Sequence, residues 1–169
     1  MVEVTDPYAP NCLVLDVSLP GRNGLYVQKR VAMQHPHMPV IFNTDHGDVP
    51  TTVQATKAGA VEFLTKPFSD NSLLSAIREA LKRSALALGQ EEKIRSLRTC
   101  YASLSPRERQ VMALVVSVLL NKQVAGELGI SEITVKGHRR QVMQKMKAES
   151  LAHLVNIGAK LDVGRYATR

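Results

Sequence analysis

The sequence predicts an α/β half built on a parallel sheet, followed by an all-α half of four helices. Three observations predict it. Within residues 1–88, apolar strand-length runs alternate with amphipathic stretches three times, the pattern of strands joined by crossover helices. Within residues 103–161, helix starts with Ser or Asn caps recur and strand runs do not. The net charge of +7 over 169 residues lies wholly in the second half, because residues 1–88 carry as many acids as bases.

In the first half, Cys12–Asp16 is a short apolar run ending in an acid, and Pro20, Gly21 and Gly24 mark the loop after it. Gly24–Gln34 reads as a helix with Leu25, Val27, Val31 and Ala32 inward. Pro39–Thr44 is a second strand. Asp48 is placed to cap a helix over Val49–Ala58, which Gly59 stops. Val61–Thr65 is a third strand, and Lys66-Pro67-Phe68 follows it. Asp70 or Asn71 caps a long helix to Leu88, with Leu73, Leu74, Ile77 and Leu81 inward. The strands are nearly all apolar, as expected when both sheet faces are covered. In such sheets functional residues gather beyond the strand C-terminal ends, where Asp16, Thr44 and Lys66 stand.

Residues 89–102 form a charged connector that extends the preceding helix or acts as a semi-rigid spacer; residues 103–169 form the second domain. Ser105-Pro106-x-Glu108 combines an N-cap, a Pro at the first helical position and a Glu that can reach back. That helix is expected to reach Leu119, with Val111, Leu114, Val115 and Val118 inside. Asn121 caps a short helix ending at Gly129, Ser131 caps a third over 132–147, and Ser150 a fourth to Leu161. A short helix, a Gly turn and a longer basic helix make a helix-turn-helix. On the third helix Val135, His138, Val142 and Met146 share the inner face. Lys136, Arg139, Arg140 and Met143 share the opposite face, an apolar back with a cationic front suited to a DNA major groove.

Composition narrows the alternatives. Aromatics are 4% and Trp is absent, which disfavours stacking on single-stranded nucleic acid. Cys12 and Cys100 fit no disulfide framework or zinc spacing. The start carries no signal-peptide pattern, and the longest apolar run, Val111–Leu120, is too short to span a bilayer, so a cytoplasmic protein without membrane partners is expected. His35 and His37 bracket a Pro in a loop, and His153 reads as a surface or dimer contact rather than a ligand.

D-V-S-L-P-G-x-x-G-L from Asp16, F-N-T-D-H-G-D-V-P from Phe42 and K-A-G-A-V-E-F-L-T-K-P-F from Lys57 together resemble the receiver domain of two-component response regulators of the NarL/FixJ class. L-S-P-R-E-R-Q-V from Leu104, N-K-Q-V-A-G-E-L-G-I-S from Asn121, T-V-K-G-H-R-R-Q-V-M-Q-K-M from Thr134 and S-L-A-H-L-V from Ser150 resemble the LuxR-type DNA-binding domain of the same regulators. The resemblance implies a partial flavodoxin-like receiver in which Asp16 is the phospho-acceptor and Thr44, Phe63 and Lys66 are switch residues, with a cis Lys66-Pro67 bond. It also implies base readout by Lys136, Gly137 and Arg140, and phosphate contacts from Lys122, Thr134, His138, Arg139 and Lys145. Double-stranded DNA, a sensor histidine kinase and a homodimer through the fourth helix are the implied partners, and the protein is not an enzyme. Two positions depart from the family: Val118 stands where Gly is usual, extending the helix or straining the turn, and Gly137 stands where a larger side chain is usual.

Only 15 residues precede Asp16, too few for the strands and helices a receiver places there, so a truncated receiver is expected. The acidic pair that completes a Mg²⁺ site in the family is then missing. Asp16 is left as an incomplete metal ligand, and Asp45 and Asp48 read as solvated and capping residues. Inefficient phosphorylation is then expected, and so is either self-association through the exposed edge of the Cys12–Asp16 strand or a loosely ordered first half. An ordinary phospho-activated regulator seen as a shortened chain, and a dimerising decoy of a full-length relative, are the alternatives.

Overall fold

The computed structural model describes residues 6, 8–19, 22–45 and 59–164, and the expected helix over 49–58 with its cap Asp48 lies outside them. The chain divides into two compact units, residues 1–90 and 91–169.

In the first unit the elements are β1 (Leu13–Asp16), β2 (Ser18–Leu19), β3 (Arg22–Asn23), α1 (Gly24–Gln34), β4 (Val40–Thr44), β5 (Glu62–Thr65) and the start of α2 (Asp70–Ala102). β1, β4 and β5 form a parallel sheet in that order, with Leu15 opposite Phe42 and Phe42 opposite Phe63. Alternation along β4 sends Val40 and Phe42 to one face, where they pack with Leu15, Val31 and Met38. Ile41 goes to the other face, against Ala76 and Ala80 of α2. Both faces are covered, which explains the near-continuous apolar strands. Among the described residues β1 and β5 are the sheet edges.

Several local expectations are corrected. The loop after β1 holds a two-residue antiparallel ladder between β2 and β3. On α1, Gln28 is buried and Ala32 exposed, because the inward stripe runs through Gln28 and Val31; the side chain of Leu25 lies outside the described residues. Ser69, not Asp70 or Asn71, caps α2: its hydroxyl accepts the Ser72 N–H at 3.1 Å. The buried stripe of α2 is Ala76, Ala80 and Ser84, and Leu74 is exposed. Small side chains let the helix lie close to the sheet, and the Ser84 hydroxyl accepts the Asn11 N–H. α2 runs unbroken for 33 residues, through the expected connector to Ala102.

The second unit holds the end of α2 and α3 (Pro106–Val116), α4 (Asn121–Leu128), α5 (Glu132–Lys145) and α6 (Leu151–Lys160). Their core is Leu104, Val111, Met112, Val115, Val124, Val135, Val142, Met146, Leu154 and Ile157. Burying each such side chain fully contributes about 1.5–3 kcal/mol, so this cluster fixes the helix arrangement. α3 begins with a complete capping box: the Ser105 hydroxyl accepts the Glu108 N–H, and the Glu108 carboxylate accepts the Ser105 N–H at 2.7 Å. α3 ends at Val116, three residues before the expected stop. Val118, expected inside, is 69% exposed with φ of 65°. The turn therefore takes the strained alternative: a β-branched residue occupies the left-handed region. α4 is also capped differently. Leu120 is its N-cap residue and has no side-chain acceptor, while Gln123 Oε1 accepts the Leu120 N–H. Gly129, at φ of 63°, closes α4 in the left-handed geometry that glycine adopts without strain.

Candidate nucleic-acid interface and acceptor carboxylate

α4, the Gly129 turn and α5 are locked from both sides. Arg107 of α3 donates to the Leu128 carbonyl at 2.7 Å, satisfying one of the orphan acceptors at the end of α4. Ser131 accepts the Thr134 N–H at 3.1 Å and starts α5. Val135, Val142 and Met146 then anchor the back of α5 in the core.

The front differs in part from the expected stripe. Lys136, Gly137 and Arg140 are exposed, and among the described residues neither cation has an ion-pair partner. Thr134 and Lys122 are exposed as well. Arg139 is half-buried and donates to Asn121 Oδ1 at 3.1 Å, so it ties α5 to the start of α4. Met143, expected on the front, packs against the core. His138, expected inside, is only half-buried at the margin. Lys145 differs most from a free surface cation. Its ammonium lies 2.7 Å and 3.0 Å from the two carboxylate oxygens of Glu108 and 3.4 Å from the Ser103 carbonyl. A phosphate would have to compete with this carboxylate for the ammonium, whose side chain is 35% exposed. Glu108 is buried, and the Lys145 ammonium followed by the Ser105 N–H holds its carboxyl below the ordinary glutamate range. The Ser-Pro-x-Glu signal pointed to the cap, but nothing local marks Lys145 as the partner.

In the first unit the strand ends bring together Asp16, Thr44 and Lys66. Lys66 Nζ lies 2.7 Å from Asp16 Oδ2 and 3.5 Å from Asp45 Oδ1. The Ser18 N–H donates to Asp16 Oδ1 at 2.8 Å. The Lys66 hydrogen bond, then the Ser18 N–H, lower the Asp16 pKa; the same contact with Asp16 raises that of Lys66. The Lys66-Pro67 bond is cis, and the Lys66 N–H donates to the Thr44 carbonyl at 2.8 Å. Thr44 is buried at the end of β4, and Phe63 packs on Phe42 with ring centroids 6.4 Å apart. Gly24, read as a loop marker and helix start, is also a close-approach position: a Cβ there would lie 2.5 Å from the Asp16 carbonyl oxygen. An ionised, paired carboxylate on a strand end is suited to attack phosphorus, with the adjacent ammonium offsetting charge on the transferred group.

Mg²⁺, the ion a receiver implies, favours an octahedral oxygen set. Among the described residues no group of three or more His, Cys, Asp or Glu could hold a metal, and the Lys66 ammonium bridges Asp16 and Asp45. The described residues do not fit the ion.

A strand-end carboxylate paired with lysine in a parallel sheet, followed by a capped helix-turn-helix, defines a two-component response regulator with a LuxR-type DNA-binding domain. Two family models match: the response regulator receiver domain over residues 1–78, and the bacterial regulatory proteins of the luxR family over residues 102–158. The chain is 48% identical to Nodulation protein W of Bradyrhizobium diazoefficiens over 163 residues, covering 96% of the chain and 72% of that protein. It is 46% identical to the transcriptional regulatory protein FixJ of Azorhizobium caulinodans, covering 89% and 72%. The solved structure of the response regulator StyR superposes with a TM-score of 0.73 at 45% identity, over 92% of this chain and 78% of that one. The chain belongs to the NarL/FixJ response regulators, DNA-binding regulators of transcription. No helix among the described residues is long and apolar enough to cross a membrane.

Proposed function

We propose that this chain binds specific double-stranded DNA sequences through α5, with Lys136, Gly137 and Arg140 at base edges and Lys122, Thr134, His138 and Arg139 at phosphates. The observation that carries the reading is the pair of exposed cations, Lys136 and Arg140, which have no ion-pair partner among the described residues and stand on a helix whose back is locked into the core. In this reading residues 1–88 are the receiver part, 89–102 the connector and 103–169 the DNA-binding domain. A homodimer on an inverted repeat is supported by the small, exposed outer residues of α6, Ala152, Asn156 and Ala159, which let a second copy approach closely. A gel-shift series with a salt titration tests the assignment. Binding that prefers one sequence and weakens steeply with salt supports it. A chain that retains no duplex but pairs with a full-length relative, for example along β1, a sheet edge among the described residues, is instead a dimerising modulator.

Asp16 is the phospho-acceptor in this proposal, and Thr44, Phe63 and Lys66 transmit its state. Phosphorylation of the 169-residue chain is weak, a reading supported by the lack, among the described residues, of a group of three or more metal-binding side chains at Asp16. The test is a small-molecule phosphodonor with Mg²⁺ and intact-mass detection. Little acyl-phosphate supports weak control, and stoichiometric modification of Asp16 replaces it with ordinary phospho-activation by a sensor kinase.

A further inference from the structure

Ile133, Gly137, Arg140 and Gln144 recur at i, i+4, i+7 and i+11, one stripe along α5. The buried Val135 and Val142 lie on the opposite side of the helix. Ile133 is 82% exposed on the outward stripe. A lone exposed apolar residue is ordinary on a protein surface. This one is placed differently, on the first turn of the helix and in line with Arg140. The position between them is Gly137, where a Cβ would meet nothing within 4 Å. The stripe therefore presents an isoleucine, a gap one residue wide, and then a guanidinium. Neither Ile133 nor Gly137 offers a side-chain donor or acceptor to a base edge.

The major groove carries one apolar feature, the C5-methyl of thymine. We propose that Ile133 is a specificity-determining residue that packs on a thymine methyl beside the base pair read by Arg140, with Gly137 leaving the space the methyl fills. The proposal rests on the α5 reading above and adds a base preference to it. A cationic helix face alone binds every sequence alike, whereas an apolar contact with a methyl distinguishes thymine from cytosine and from uracil.

The probe is a duplex that the full chain itself retains from a random-sequence pool. Each thymine is replaced singly by uracil, which deletes the methyl and leaves every hydrogen bond in place. At one position in each half-site the replacement is expected to weaken binding about fourfold, the effect of one buried methyl. Ile133→Ala is expected to lose about the same factor on the thymine duplex and nothing further on the uracil duplex. Gly137→Val, which fills the gap, is expected to remove the uracil effect while circular dichroism shows the helices intact. Uracil tolerated at every position overturns the proposal. So does an Ile133→Ala loss that is equal on the selected and random duplexes. Failure to retain any preferred duplex overturns the α5 reading itself and is thereby distinguishable.

Discussion

The Lys145 ammonium sits 2.7 Å from Oε2 of Glu108, joining the last turn of α5 to the first turn of α3 across 37 positions of sequence. The same carboxylate completes the α3 capping box, so a single side chain serves a helix end and a tertiary contact. Glu108→Ala removes both and leaves Lys145 without its counter-charge. A loss of about 2–3 kcal/mol is expected, combining a cap with a charge-assisted hydrogen bond. Urea unfolding followed by circular dichroism measures it. Lys145→Ala is expected to lower stability too, with affinity for random duplex unchanged once the protein is folded. A uniform loss of DNA affinity would place Lys145 among the phosphate contacts.

The pair also sets an acid dependence. The Glu108 pKa is lower in the folded chain than in an unfolded one. Its stabilisation is therefore fully present above the ordinary glutamate pKa and is lost as pH falls through the depressed folded value. Thermal unfolding of the wild type is expected to weaken below about pH 4.5 more steeply than that of Glu108→Gln, whose side chain does not titrate there. Parallel curves would show that the pair contributes nothing to the acid dependence.

Val118 holds a left-handed backbone with its side chain largely in solvent. Glycine adopts that conformation without the Cβ clash, which costs about 1–2 kcal/mol, and the substitution sacrifices little buried surface. Val118→Gly is expected to stabilise the second unit by about 1 kcal/mol, net of the greater freedom of glycine in the unfolded chain. A rise in the urea midpoint at constant slope is the readout.

Gly24 lies against the end of β1 with no room for a methyl: the nearest backbone atom is the Asp16 carbonyl oxygen, and Phe42 also crowds the position. Gly24→Ala is expected to cost about 1–3 kcal/mol through overpacking and to shift the end of β1, where Asp16 stands. Broadened amide resonances around Asp16 and Ser18, with the second unit unchanged, would register the effect.

The two classes of DNA contact separate by their dependence on sequence. Arg140→Ala is expected to cost about 1–3 kcal/mol on the selected duplex and little on random DNA. Lys122→Ala is expected to weaken both alike and to lower the salt slope by about one. Equal losses on random DNA for both variants would contradict the assignment of Arg140 to a base edge.

Features written within a few consecutive residues were legible in the sequence. The Ser105, Ser131 and Ser150 caps, the Gly129 stop and the apolar strands depend on neighbouring groups only, so composition and spacing determined them. The order Asp16, Thr44, Lys66 at successive strand ends was legible for the same reason, since parallel strands put their C-terminal ends on one side. Where periodicity alone placed side chains, the packing partner overruled it in part: Ala76, Ala80 and Ser84 form the buried stripe of α2 with Ile77 packed beside it, and Leu74 is exposed. Only the tertiary structure decided that Lys145 pairs with Glu108, that Gly24 is crowded by the Asp16 backbone, and that Val118 turns outward with positive φ. Each depends on how distant segments meet, a distance that local sequence chemistry does not encode.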